Sequence, residues 1–259
     1  MIAGHARAAG RILLLAVVTV VICLVWLPFG LATRHDRGAD LARRARLTHR
    51  WCRAVARVLG MRVRLTGRPP KAPFLLVSNH LGYIDVVLLG SIVEGLFVAK
   101  QEVSRWPVVG RLSLWSGALH IDRRPGGHLV DAVAQAQDVL SHGVGLIVFP
   151  EGTSTAGDRV LPFRSALLEP AVSTRVPVWH ACIRYVSWDG SPAAEEALCW
   201  WRDMTFTPHL YNLLQLPGFD ATVRFGEAPL VGEDRKELAR SLWTAVSSDL
   251  RGESVLEAT

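Results

Sequence analysis

Lysine is nearly absent from this chain. Of its 29 basic residues, Lys71, Lys100 and Lys236 are the only lysines, so arginine carries the net charge of +6 and the sequence pI of about 9.6. Arginine's planar fork suits bidentate contact with anionic groups, although a GC-rich genome produces the same bias without functional meaning. The 4 cysteines, Cys23, Cys52, Cys182 and Cys199, lack C-x-x-C spacing. That pattern supports neither a disulfide framework nor a zinc site, and it fits a reducing compartment. A G-x-S-x-G elbow is missing too, so no serine nucleophile of the hydrolase type is on offer. There is no internal repeat or low-complexity segment, and "GRPPKAP" at 67–73 reads as a turn rather than a linker. At 259 residues and 50% hydrophobic, the chain has material for one sizeable α/β core plus an appendage.

Charge is missing from residues 12–33, "ILLLAVVTVVICLVWLPFGLAT". The run is long enough to cross a hydrocarbon core at ~1.5 Å per residue and reads as a transmembrane or deeply embedded helix. A cleaved signal peptide is the rival, but its apolar region is usually only ~7–15 residues, and no clear A-x-A site follows. Arg7 and Arg11 precede the run, whereas Arg34, Arg37, Arg43, Arg44, Arg46, Arg50 and Arg53 follow it. The positive-inside rule then predicts an inner-membrane protein whose bulk faces the cytoplasm. Over 41–59, Leu41, Ala45, Thr48, Trp51, Val55 and Val58 recur at helical spacing with arginines opposite. Two readings fit: a basic amphipathic helix lying on anionic lipid, or a helix packed on the main domain with a solvated charged face.

From residue 61 the pattern alternates between α and β. Apolar runs at 61–67, 74–78, 96–100, 118–122, 145–149, 176–183 and 221–226 predict strands, and helical spacing predicts helices over 129–140 and 233–250. The expected fold is α/β, a mainly parallel mixed sheet flanked by helices, with an N-terminal membrane-anchoring helix. The expected division is a membrane anchor with its basic amphipathic helix over 1–60 and a catalytic domain over 61–259.

Polar residues then interrupt three strand ends. In "LLVSNHLGYIDVVLLG", Asn79, His80 and Asp85 follow an apolar strand where α/β sheets place reactive groups, and a helix beginning near Gly82 brings Asp85 back toward His80. A carboxylate accepting from Nδ1–H fixes the tautomer and leaves Nε2 free as a base. With no protein nucleophile at hand, the base is expected to act on a hydroxyl supplied by the substrate. The bland alternative makes both residues helix-start caps. "GALHIDRR" adds Arg123 and Arg124 after a second strand, and "IVFPEGTSTAGD" adds Glu151, Gly152 and Thr153 after a third. Together these suggest an anionic acceptor held beside a general base.

These segments, in this order, resemble the glycerolipid acyltransferase family typified by 1-acylglycerol-3-phosphate acyltransferases. "NHLGYID" is similar to the family's NHxxxxD block, "GALHIDR" to its second block, "FPEGTST" to its FPEGT block and "VPVWHACI" to its fourth, over about residues 73–185. The resemblance implies His80 as the base that deprotonates an acceptor hydroxyl, which attacks an acyl thioester, with Asp85 orienting the imidazole. It implies acceptor binding by Asn79, Arg123, Glu151, Gly152 and Thr153. It also implies no metal or nucleotide cofactor beyond an acyl-CoA or acyl carrier protein donor, and membrane lipids rather than nucleic acid as partners. The implied acceptor is 1-acylglycerol-3-phosphate, giving phosphatidic acid. Ser154 stands where phosphatidate-forming members carry arginine, Arg164 is the expected compensation, and His180 replaces a proline. Residues 200–214, "WWRDMTFTPHLYNLL", look like the branch that acylates lyso-ornithine lipids. Two further alternatives are an esterase or thioesterase using the same His80–Asp85 pair on water, and a non-catalytic lipid-binding protein.

Overall fold

A computed structural model of the chain describes residues 2–33, 35–122 and 129–256. Two helices come first, α1 (Ile2–Thr33) and α2 (Arg37–Leu59). The α/β unit follows as β1 (Met61–Thr66), β2 (Leu75–Ser78), α3 (Ile84–Ile92), β3 (Gly95–Lys100), α4 (Val109–Ser116), β4 (Leu119–Ile121), α5 (Leu129–Ser141), β5 (Gly145–Val148), α6 (Glu169–Thr174), β6 (Val178–Ser187), α7 (Ala194–Ala197), α8 (Phe206–Gln215), β7 (Phe219–Phe225) and α9 (Arg235–Leu256). Single 3-10 turns precede α4 and α6.

The strands form one sheet in the order β1-β7-β6-β2-β5-β3-β4. Neighbours are parallel except β6 and β7, so β1 and β7 run against the other five. The mixed, mainly parallel sheet expected from the sequence is therefore present. β2 lies between β5 and β6, and its Leu75, Leu76 and Val77 are each 0% exposed because helices cover both faces. Leu76 joins one core layer with α2, α3 and α8, whereas Leu75 and Val77 join the other with α5, α6 and α9.

Helix α2 is capped at both ends. Asp36 Oδ1 accepts from Ala39 N at 2.9 Å, and Gly60, at φ 72°, closes the C-terminus by donating to Ala56 and Arg57 carbonyls. Its apolar side packs on α3 and on α1, which is the packed-helix reading. One expectation fails here: Arg43 is 5% exposed rather than on a solvated face. Asp40, one turn earlier, pairs with both Arg43 and Arg44 and makes that burial tolerable.

Helix α1 is long and apolar enough over Ile2–Trp26 to cross a membrane, and 11% of that window is buried. Leu13 and Leu24 are 66% and 65% exposed. Its first turns are anchored to the α/β unit, a contact with no signature in the residue pattern. Arg7 donates to Gln215 O at 2.6 Å, and Arg11 donates to Leu214, Leu216 and Pro217 carbonyls at 3.2, 2.6 and 3.1 Å. Further along, Trp51 Nε1 donates to Thr19 Oγ1 at 3.1 Å, and Trp26 stacks on Trp115 of α4.

Candidate active site

The site forms where β2 ends. After Ser78 the backbone leaves the ladder, and the Asn79 side chain continues it: Nδ2 donates to Ile183 O at 2.9 Å and Oδ1 accepts from Ile183 N at 2.7 Å. Asn79 is 0% exposed. A carboxamide carries the same donor and acceptor as a peptide group, so it holds β6 in place while the main chain turns away. Asn79, expected among the acceptor-binding residues, therefore has its polar atoms committed to a strand.

His80 is the next residue. Its Nδ1 lies 2.7 Å from Asp85 Oδ2, and its ring stacks on Phe149 with centroids 4.2 Å apart. The His80 side chain is 23% exposed and that of Asp85 is fully buried. Asp85 sits in the first turn of α3, and its Oδ2 also accepts from Leu81 N at 2.6 Å and Gly82 N at 3.0 Å. Its Oδ1 accepts from Tyr185 OH at 2.8 Å. These bonds supply a buried carboxylate with the donors it needs in place of water. With Nδ1–H held by Asp85, Nε2 is the imidazole nitrogen left to take a proton. Glycine is required at 82, since a Cβ there would lie 2.9 Å from Trp200 N.

Glu151 braces the site from below. Its two carboxylate oxygens accept from His80 N and Leu161 N, each at 2.7 Å, and the residue is 3% exposed. Burial pushes its carboxyl up to about 7; the two backbone donors oppose the rise, and the charge of Asp85 adds to it. Glu151, expected to meet the acceptor, thus ties the His80 turn to the 150–161 loop. Gly152 is buried at φ 77°, Thr153 is exposed, and the Ser154 hydroxyl donates to Trp200 O at 2.5 Å. Trp200 N in turn donates to Leu81 O at 2.7 Å, so the segment after α7 is stitched to both loops.

The expected arginines fare differently. Arg123 lies outside the described residues. Arg164 is exposed beside the Glu151 turn, where its N–H donates to Pro150 O at 2.9 Å. Nearby thiol and hydroxyl groups are otherwise engaged. Cys199 donates to Ala156 O, and burial pushes its thiol up to about 12; Ser78 and Thr155 donate to Asn79 Oδ1 and Arg159 O.

Two features escaped the sequence. Tyr185 shares one face of β6 with buried Ala181 and Ile183, so a hydroxyl on a core face was the available signal. Tyr83, Trp106, Trp200 and Phe206 pack together beside the turn, mostly edge to face, with centroids 5.0–6.2 Å apart. Tyr83 OH lies 2.8 Å from His209 Nδ1, whose Nε2 lies 3.1 Å from Cys199 O. Burial lowers the His209 pKa, so the neutral tautomer donates to the carbonyl and accepts from the tyrosine.

A partly exposed imidazole backed by a buried, fully bonded carboxylate sits at the C-terminal end of an interior parallel strand, an arrangement able to exchange a proton. The family whose model is described as Acyltransferase matches residues 61–184. The chain is 34% identical over 230 residues to a lyso-ornithine lipid O-acyltransferase of Brucella abortus (strain 2308), covering 82% of this chain and 86% of that protein. It is 28% identical over 146 residues to a 1-acyl-sn-glycerol-3-phosphate acyltransferase of Neisseria gonorrhoeae, covering 52% and 57%. Among solved structures, the 1-acyl-sn-glycerophosphate (LPA) acyltransferase of Thermotoga maritima shares the fold, with a TM-score of 0.65 at 22% identity over 96% of this chain and 98% of that one. The chain belongs to the acyltransferase family and is an acyltransferase.

Proposed function

We propose that this enzyme transfers an acyl group from a thioester to the hydroxyl of a lysolipid, with His80 as the base and a lyso-ornithine lipid as the acceptor. One observation carries the chemistry: His80 has its Nδ1 held by Asp85 and its ring still partly open to solvent. His80 Nε2 takes the acceptor's hydroxyl proton as the oxygen attacks the thioester carbonyl. The tetrahedral adduct then expels the thiolate, which receives that proton from the imidazolium. Asp85 stabilises the imidazolium in between. A thioester needs no metal or nucleotide cofactor for this, and acyl-CoA or an acyl carrier protein serves as donor.

The choice of acceptor rests on two supports. The relative named for lyso-ornithine lipid aligns with 82% of the chain, against 52% for the glycerophosphate enzyme of Neisseria. Ser154, in the place of the arginine that the resemblance leads one to expect, uses its hydroxyl on Trp200. An ornithine head group presents a carboxylate rather than a phosphate, and exposed Arg164 suits it. 1-Acylglycerol-3-phosphate is the second reading, favoured by the Neisseria relative. The same proposal gives residues 1–60 to membrane attachment, supported by the exposed apolar side of α1, and gives 61–259 to catalysis on the cytoplasmic face of the inner membrane.

The test is a labelled acyl thioester incubated with the detergent-solubilised protein and a panel of lysolipids, with products identified by mass spectrometry. Acylated lyso-ornithine lipid is the expected product. Phosphatidic acid alone would replace the acceptor, and free fatty acid released at the same rate without any lysolipid would replace transfer by hydrolysis.

A further inference from the structure

We propose that Tyr185 is a positioning residue of this reaction: its hydroxyl donates to Asp85 Oδ1 at 2.8 Å and so sets how strongly Asp85 holds the proton it shares with His80. The proposal rests on His80 acting as the base.

The two oxygens of Asp85 divide their work. Oδ2 gathers His80 Nδ1, Leu81 N and Gly82 N at 2.7, 2.6 and 3.0 Å, which fixes the turn and the imidazole together. Among the described residues, Oδ1 accepts from Tyr185 alone. Because the carboxylate is fully buried, that single donor is its remaining substitute for water on this side.

Tyr185 is held so that its hydroxyl has nowhere else to go. It is 6% exposed on β6, and its ring meets Phe219 edge to face at 5.8 Å. Two residues earlier on the same strand, Ile183 is gripped through both its N–H and its carbonyl by Asn79. The strand bearing the tyrosine is thereby locked to the residue that precedes the base. Burial, with the charge of Asp85 as a smaller contribution, pushes the phenol well above its ordinary pKa, so it stays a donor across the working pH range. Phenylalanine would fill the same space without the oxygen.

The titratable groups facing this pair are His80, Glu151, Tyr83 and Cys199. Burial raises the Tyr83 phenol and holds the Cys199 thiol near 12, so both stay neutral, whereas Glu151 titrates near 7. A rate profile alone would mix Glu151 with the dyad, and a readout specific to His80 is needed.

Removing the hydroxyl leaves Asp85 Oδ1 without a donor, and an anion that loses a hydrogen bond binds its proton more tightly. The dyad then reaches its deprotonated, competent form at higher pH. The experiment is the pH dependence of carbethoxylation at His80 Nε2, read as modified His80 peptide by mass spectrometry, alongside steady-state kinetics. In Tyr185→Phe the modification midpoint should rise by about half a unit to one unit. The kcat should fall about tenfold with both KM values unmoved. A folded Tyr185→Phe enzyme with the wild-type midpoint overturns the proposal, even if kcat drops. Should that variant fail to fold, 3-fluorotyrosine at position 185, a stronger donor of nearly the same size, must lower the midpoint; an unmoved midpoint overturns the proposal equally. His80→Ala separates the two layers. Wild-type turnover in a folded His80→Ala enzyme removes the base reading, while the midpoint shift still decides whether Tyr185 governs the dyad.

Discussion

Asp85→Asn isolates charge from shape at the centre of the site. The amide oxygen can take the three donors that Oδ2 holds, His80 Nδ1, Leu81 N and Gly82 N, and the amide nitrogen can donate to the Tyr185 oxygen. The number of hydrogen bonds is conserved but the buried Tyr185 O–H loses its acceptor, a cost of about 1–3 kcal/mol that should lower the melting temperature by several degrees while the variant stays folded. What disappears is the negative charge beside the imidazolium. For unit charges about 4 Å apart, at an effective dielectric constant of about 20, that interaction is ~4 kcal/mol. At 1.36 kcal/mol per factor of ten, the kcat should fall about 10³-fold. The imidazolium exists after proton transfer and not in the resting complex, so the KM for the thioester should move less than about threefold. Free thiol released from the acyl donor, followed continuously with a chromogenic disulfide at saturating acceptor, gives both constants. A folded variant whose kcat lies within tenfold of wild type would refute the assignment of His80 and Asp85 as base and orienter.

Three other substitutions probe the surroundings. Asn79→Ala orphans the N–H and carbonyl of Ile183 and should cost about 2–4 kcal/mol in urea unfolding; a raised acceptor KM at unchanged stability would return Asn79 to substrate binding. Glu151 makes stability depend on pH, because its carboxyl is raised from 4.5 to about 7 in the folded chain. Between those values the native state keeps a proton that the unfolded chain has released, so Glu151's contribution to stability declines as pH rises through the window, by roughly 3 kcal/mol in all. Glu151→Gln should abolish that slope, and unfolding profiles that stay parallel from pH 4.5 to 7 would contradict the cause given. Arg164→Ala should raise the acceptor KM about tenfold or more, from the loss of a charged hydrogen bond of about 1.5–3 kcal/mol, and leave the donor KM alone. Equal effects on both substrates would remove Arg164 from the head-group site.

The strands and the His80–Asp85 pair were legible because both depend on short-range pattern. Apolar runs mark strands covered on both faces, and a spacing of five puts Asp85 in the first helical turn after the histidine. Direction along the sheet was not legible: nothing in residues 61–66 or 219–225 distinguishes strands that run against the rest. Nor does sequence tell a polar side chain at a strand end that points to solvent from one that points at the neighbouring strand. Asn79 and Glu151 both turned out to be bonded to backbone, and Tyr185 meets Asp85 across 100 positions of chain. Arg7 and Arg11 showed the same limit, since they read as charges flanking an apolar run and serve instead to bind α8.

That last contact bears on how the protein can be handled. The carbonyls of Leu214, Leu216 and Pro217 are the loose ends left where α8 gives way to β7, and Arg11 gathers all three while Arg7 takes the neighbouring carbonyl of Gln215. Trimming the oily leader to ease purification would therefore strip a clasp from the turn between α8 and the penultimate strand of the sheet, and the shortened enzyme would lose firmness within the α/β unit itself.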